Sequence, residues 1–261
     1  MGDESDLHGT IRTVMKRAEM LDRLAREPTS KRDLRDDLDV SRSTVYKAVR
    51  ELEEYELVAQ DGNEVRLSLF GELVFENYRS FVETTDDVDR QQALLSDLPA
   101  GAPVTTDLLV GADCVRAEPF APDRPLNYIE DRIREAEYVG GFAPIAVRRY
   151  VELFHEQLTD GGLTAEVVFE ESVVNHLWTD YGERFRQSVE TDRYSLWTTD
   201  RSLPFGLVLA EGDREEVVVV VYDEGKPVGA IANDTPGALD WGRAVFEQYK
   251  EEATQVDGDA S

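Results

Sequence analysis

Ser43, Tyr46, Lys47 and Arg50 follow one another at i, i+3, i+4 and i+7, the spacing of one face of a helix. Val45, Ala48, Val49 and Leu52 occupy the opposite face. A hydroxyl, a phenol and two cations on a surface without carboxylates form a set that can meet base edges and phosphates in a duplex groove. From Val40 to Arg50 there is no Asp or Glu, although 55 of the 261 residues are acidic. On this reading Ser43, Tyr46 and Lys47 reach base edges, and Arg50 lies deeper or on phosphate. Ser41, Arg42, Thr44 and the N-termini of the second and third helices hold the backbone, while Arg32 and Arg35 flank. The plainer alternative is a solvated face on a small helical domain that packs against another protein.

The surrounding pattern supplies elements to carry such a face. Ile11, Val14, Ala18, Leu21 and Ala25 mark a first helix over 8–26, stopped by Pro28. Ser30 caps a short second helix with Asp33 three residues on and Leu34 and Leu38 inside; Ser41 caps a third, running to about Tyr55. Two strands, 57–60 and 64–69, flank Asp61-Gly62-Asn63, a hairpin signal. A fourth helix takes Phe70, Leu73, Val74, Tyr78, Phe81 and Val82 inward. Three helices followed by a hairpin is the order of a winged helix-turn-helix. Arg66 is the hairpin's one basic residue, and the acidic tip at Asp61 predicts few phosphate contacts from this wing.

Charge separates this region from the rest. Residues 1–83 carry 19 acidic and 13 basic side chains, against 36 and 15 in residues 84–261. We therefore divide the chain into a winged helix-turn-helix domain (1–83), a connecting helix and linker (84–103), an α/β effector or dimerisation domain (104–254) and a disordered tail (255–261). In the larger part, strands are expected near 104–110, 137–142, 164–169, 193–198, 205–210, 216–222 and 227–232, with helices near 124–136, 144–160, 172–190 and 237–253. Such alternation implies helices layered on a sheet. Glu216–Tyr222 lacks alternation after its first residue, so it reads as a central strand buried on both faces.

Ligands in such sheets collect beyond the carboxyl ends of strands. Those ends present Gly141 and Phe142, then Asn175, His176 and Trp178, then Arg201, and finally Asn233. A sugar or sugar phosphate suits this mixture of amides, aromatic faces and one Arg; ordinary loop and core roles are the rival account. No GxSxG or P-loop occurs, and neither His155 nor His176 opens a histidine-x-lysine run. We accordingly assign no catalytic residue, no metal and no cofactor.

Composition narrows the class further. The formal net charge is −27, and five of the 28 basic residues are lysine. An acidic, arginine-rich surface over 41% hydrophobic residues fits a folded protein adapted to concentrated salt, where a Debye length of about 3 Å makes self-repulsion cheap. No apolar run reaches transmembrane length, and the acidic start MGDESDLHGT has no signal-peptide order. One cysteine, Cys114, excludes an internal disulfide. A cytoplasmic location is expected.

The stretch TSKRDLRDDLDVSRSTVYKAVRELEEYELVAQDGNEVRLSLFGELV resembles the winged-helix regulators of archaea, most closely at Val40–Val45 and Val49–Leu52. LPFGLVLAEGDREEVVVVVYDEGKPVGAIAND, with Ala238-Leu239-Asp240-Trp241 and a final helix through Phe246 and Tyr249, resembles the methanogenesis-regulator-type middle domain, itself similar to archaeal sugar-sensing domains. The resemblance implies a two-domain α/β protein: a winged helix-turn-helix followed by a phospholipase D-like sheet without the catalytic motif. It also implies a transcription regulator on double-stranded DNA, homodimeric, with a possible small-molecule effector. Helix 69–84 and the stretch 88–98 are the candidate subunit contacts. An enzyme or a protein-binding adaptor built on the C-terminal domain is the alternative.

Overall fold

The computed structural model describes residues 4–256, and the chain divides into two compact units at Thr85/Asp86. In the first, the single helix expected over 8–26 is two helices, α1 (Glu4–Lys16) and α2 (Ala18–Arg26). Arg17 breaks them with φ −115 and ψ 17, and its guanidinium donates to Glu51. The break changes the buried stripe. Val14, Met20, Leu21 and Leu24 are inside, whereas Ile11 and Ala25, expected there, are exposed.

β1 (Thr29–Ser30), α3 (Lys31–Asp37), α4 (Arg42–Glu54), β2 (Val58–Asp61) and β3 (Glu64–Leu67) follow. Ser30 Oγ accepts from the Asp33 N–H at 3.2 Å and Ser41 Oγ from the Thr44 N–H at 3.1 Å, so both expected caps form. Gly62 takes φ +60 at the first central position of the β2–β3 turn, as a II′ hairpin requires. β1 pairs with β3, so the wing is a three-stranded sheet rather than a bare hairpin. Val45, Ala48, Val49 and Leu52 of α4 are fully buried in this unit's core.

α5 (Leu69–Arg90) departs from expectation. Gly71 and Phe75 are buried, but Phe70, Leu73, Phe81 and Val82, expected inward, are exposed. Gly71 sets the rotation of the helix. A Cβ there would lie 1.9 Å from the Leu57 carbonyl oxygen, so glycine lets α5 press on the backbone entering β2. Gly71→Ala is expected to cost about 3 kcal/mol, the upper range for overpacking, read as a lower midpoint for loss of helical signal on thermal unfolding.

Residues 84–103 do not form a free linker. α5 runs on to Arg90, α6 (Gln92–Asp97) follows, and Leu94 is buried in the second unit's core with Val88, Leu95 and Leu98 against it. The stretch 88–98 therefore spends its apolar face within its own unit and is withdrawn as a subunit contact. The strand expected near 104–110 is a helical turn, α7 (Thr106–Leu109), because β4 (Asp113–Arg116) takes the sheet position beside β10 (Lys226–Asn233).

The other elements are α8 (Arg124–Glu135), β5 (Ala136–Ala143), α9 (Arg148–Thr159), β6 (Thr164–Glu170), α10 (Glu171–Val189), β7 (Tyr194–Thr199), β8 (Gly206–Gly212), β9 (Glu216–Asp223), α11 (Pro236–Glu251) and β11 (Thr254–Gln255). They build an eight-stranded sheet of order β11-β7-β6-β5-β8-β9-β10-β4. β5, β6 and β7 are parallel, whereas β8, β9, β10 and β4 continue antiparallel. β9 is buried from Glu216 to Val221, as its sequence implies. Glu224 (φ +47) and Gly225 (φ +75) turn it into β10, both central residues left-handed as in a I′ hairpin. One core joins α6, α7 and α11 to one side of the sheet; another lies under α8 and α9, with a cluster around α10 beside it. Gln255, expected in a disordered tail, pairs with Trp197; residues 257–261 lie outside the described residues. The whole is a two-unit α/β protein, a winged helix-turn-helix followed by an α/β sheet.

Candidate nucleic-acid interface

The outward face of α4 is assembled as its spacing predicts. Ser41, Arg42, Ser43, Thr44, Tyr46, Lys47 and Arg50 are all exposed, while the residues between them anchor the helix in the core. The first turn of α4 carries no acidic residue, so the positive end of the helix dipole is left unneutralised. Tyr46 stands between two cations: Lys31 Nζ lies 5.0 Å and the Arg42 guanidinium carbon 5.2 Å from its ring centre. Its phenol oxygen accepts from Arg42 Nη2 at 3.4 Å, and that bond, with the Arg42 charge, lowers the phenol below its ordinary pKa. The ring is thereby held in one plane with its proton free to donate outward.

Partnering separates the basic residues of this unit. Lys16 and Arg17 pair with Glu51, Arg23 with Asp37 and Glu27, Arg26 with Asp22, Arg35 with Asp36 and Arg79 with Glu83. Arg35 is thus engaged and does not stand free as a flanking contact. Lys31, Arg32, Arg42 and Lys47 have no carboxylate partner among the described residues, as is also true of Arg12 on α1 and Arg66 on β3. Arg50 meets Glu54 one turn on at 3.3 Å, an exposed pair worth well under about 1 kcal/mol and easily exchanged for another anion. Arg66 is exposed on β3, and Asp61 and Glu64 leave the wing tip acidic. Lys31 was missed by the spacing argument because it belongs to α3. The available signal was its place directly after the capping Ser30, on the helix that packs on α4.

The residues singled out in the second unit do not converge. Gly141 and Phe142 adjoin a cavity beneath α9 and α10. Asn175 is exposed, and His176 Nδ1 faces Asp180 at 3.4 Å. Trp178 packs edge-on against Phe185 at 4.8 Å between ring centres. Arg201 lies over Tyr249 at 4.7 Å and pairs with Glu252. Asn233 is 3% exposed: its amide donates to the carbonyls of Leu108 and Val110, each at 2.8 Å, and its oxygen accepts from the Thr235 N–H. Sheet direction accounts for Asn233 alone: β5, β6 and β7 are parallel and end on one side, whereas β10 is antiparallel to them and ends on the other.

Among the described residues no group of three or more His, Cys, Asp or Glu is placed to hold a metal ion. No described helix is long and apolar enough to cross a membrane. Cys114 is half-buried on β4, and burial pushes its thiol up.

Residues 8–90 match the HVO_A0261 N-terminal domain, and residues 122–252 match the middle domain of methanogenesis regulatory protein FilR1. No curated protein matches the chain. Among solved structures it is similar to TrmBL2, described as an archaeal chromatin protein with a novel mode of DNA binding, at 12% identity and a TM-score of 0.41 over 88% of this chain and 89% of that one. It is also similar to Nuc, a phospholipase D family member from Salmonella typhimurium (9% identity, TM-score 0.43, 56% and 97% covered). NucT from Helicobacter pylori aligns comparably (11% identity, TM-score 0.41, 56% and 98% covered). These are distant likenesses of shape. The FilR1 match takes in half of the sequence, and the chain belongs to that family of regulatory proteins.

Proposed function

We propose that this protein is a cytoplasmic, homodimeric transcription regulator, not an enzyme, that reads double-stranded DNA with α4 and answers to a small molecule held in its second unit. The observation that carries the reading is the set of cations without a carboxylate partner among the described residues: Lys31 and Arg42 against the Tyr46 ring, Lys47 beside it on α4, and Arg32 on α3. A chain of net charge −27 is repelled by DNA as a whole. In concentrated salt that repulsion is screened beyond about 3 Å, and the local face decides. Base contacts then fall to Ser43, Tyr46 and Lys47, with Arg50 beside them; Arg32, Arg42, Ser41 and Thr44 suit phosphates, and Arg66 stands on the wing.

Two reading helices in successive major grooves, about 34 Å apart, call for a dimer. Leu69, Phe70, Leu73, Phe81 and Val82 of α5 and Leu7, Ile11 and Met15 of α1 leave large apolar groups in water. In strong salt such surface favours burial against a second copy.

The test is a footprint on the DNA upstream of the protein's own gene, repeated across salt concentrations. A palindromic protected site is expected. With Arg32 and Arg42 of each subunit on phosphate, about four counterion equivalents are released, a log K against log salt slope of about −4. A slope near −10, or no protected site, contradicts the proposal.

A further inference from the structure

The second unit contains a partly open cavity of about 90 Å³ between the sheet (β5–β9) and the helices α8, α9 and α10. Its lining includes no Asp, Glu, Lys, Arg or His, although 32% of the chain is charged. The polar groups that reach it are phenols and one hydroxyl. Tyr150 is spent, its OH donating to the Leu126 carbonyl at 3.1 Å, and Ser188 Oγ donates to the Arg184 carbonyl at 3.1 Å. Tyr194 and Tyr222 differ: neither phenol has a hydrogen-bond partner among the described residues, although burial pushes both well above the ordinary tyrosine range. A Cβ on Gly206, itself in the lining, would lie 3.0 Å from the Tyr222 phenol oxygen, so glycine leaves that hydroxyl room.

Protein interiors rarely keep voids larger than a water. This one is lined by two half-buried tyrosines whose hydroxyls stay accessible and free to bond a guest. The wall is also interrupted: Gly182 (φ 24, ψ −94) breaks α10 between Leu177 and Phe185, which both face the cavity.

We propose that this cavity is the effector site and takes a small, uncharged, largely apolar molecule whose single hydroxyl or carbonyl meets Tyr194 and Tyr222. A sugar phosphate, expected from the strand ends, does not suit it: nothing in the lining balances a charge, and two phenols cannot replace the hydration of several hydroxyls. Against an apolar cavity of about 150 Å³ that holds benzene, this one admits a molecule of about four or five non-hydrogen atoms. The assignment rests on the reading of the second unit as a ligand-sensing domain, and it can fail separately from that reading.

The test uses the full chain in molar KCl with isobutanol, its charged counterpart isobutyrate, and glucose 6-phosphate, each at millimolar concentration. Saturation-transfer NMR should detect isobutanol alone, with a rise in Tm for that probe alone. Tyr194→Phe with Tyr222→Phe keeps the cavity and removes both hydroxyls. It should weaken isobutanol about tenfold, a loss of about 1.4 kcal/mol, and leave Tm unchanged or raised, since no hydrogen bond is lost. Ala146→Phe, which fills the cavity, should abolish binding. If that variant does not fold, the double phenylalanine variant still decides. The assignment is overturned if isobutanol gives no transfer, if isobutyrate binds equally, or if neither variant weakens binding. Operator affinity is measured in parallel: isobutanol bound with unchanged DNA affinity upholds the site and defeats the sensing role, whereas a DNA response to glucose 6-phosphate without isobutanol binding does the reverse.

Discussion

Replacing Lys47 and Arg50 together by alanine is expected to weaken operator binding at least about a hundredfold, while the circular dichroism spectrum and Tm stay as they were. Each side chain stands on the exposed face of α4. Lys47 has no carboxylate partner among the described residues, and Arg50 has a single solvent-exposed one, Glu54. Their removal takes no contact from the core, so stability has no reason to fall. A base-directed cation is worth about 1–3 kcal/mol, and a dimer loses it at both half-sites. Arg26→Ala, which removes a cation already paired with Asp22, serves as the matched control and should leave affinity within about twofold. Electrophoretic mobility shift with competitor DNA reads both. An unchanged affinity in the double variant returns α4 to the role of a solvated face in a protein-packing domain.

The second large effect lies in the other unit. Asn233→Ala is expected to destabilise it by about 3–5 kcal/mol, a fall in Tm of about 10 °C. The side chain fills three hydrogen bonds at once, to the carbonyls of Leu108 and Val110 and from the Thr235 N–H. It ties α7 to the end of β10 just before Thr235, whose own hydroxyl caps α11. Alanine strands two carbonyls next to buried Leu108 and Leu109. Asn233→Asp should be worse, since its carboxylate would face both carbonyl oxygens. Differential scanning calorimetry decides: a ligand-contact role for Asn233 would instead leave Tm unchanged and shift only the response to effector.

The two units were unequally legible. In the first, period and caps carried nearly everything: Ser30, Ser41 and the Asp61–Glu64 turn are local devices, and the outward face of α4 follows from four buried residues at helical spacing. Misses came where tertiary contact chose among apolar residues. Six hydrophobic side chains of α5 fit an inward stripe equally well on paper, but contact between Gly71 and the Leu57 backbone turned four of them out. The guanidinium at the Arg17 break meets Glu51, thirty-four positions away, a contact no local window contains. In the second unit, the strands built on β-branched runs such as Val217–Val221 were legible, whereas the short edge strands β4 and β11 carry no such run and were not. The turn at Gly225-Lys226 gave the antiparallel β9–β10 hairpin, but nothing local relates β10 to the distant β5–β7 set, so Asn233 was grouped with three carboxyl ends that lie on the other side of the sheet. The cavity left a fainter trace still: nothing in the neighbourhood of Tyr194 and Tyr222 along the chain says that their hydroxyls lack partners.

Thr254 and Gln255 form a two-residue strand along the outer side of β7, backed by the Val256 N–H donating to the Leu196 carbonyl at 2.9 Å. They are a selvedge: the narrow binding that stops a woven border from catching on the next cloth. Trimming the polypeptide before this point would bare the β7 backbone to any strand with a matching pattern. Purification handles therefore belong at the amino end or behind a spacer, and monodispersity in solution is expected to depend on a segment outside both the proposed DNA face of α4 and the cavity.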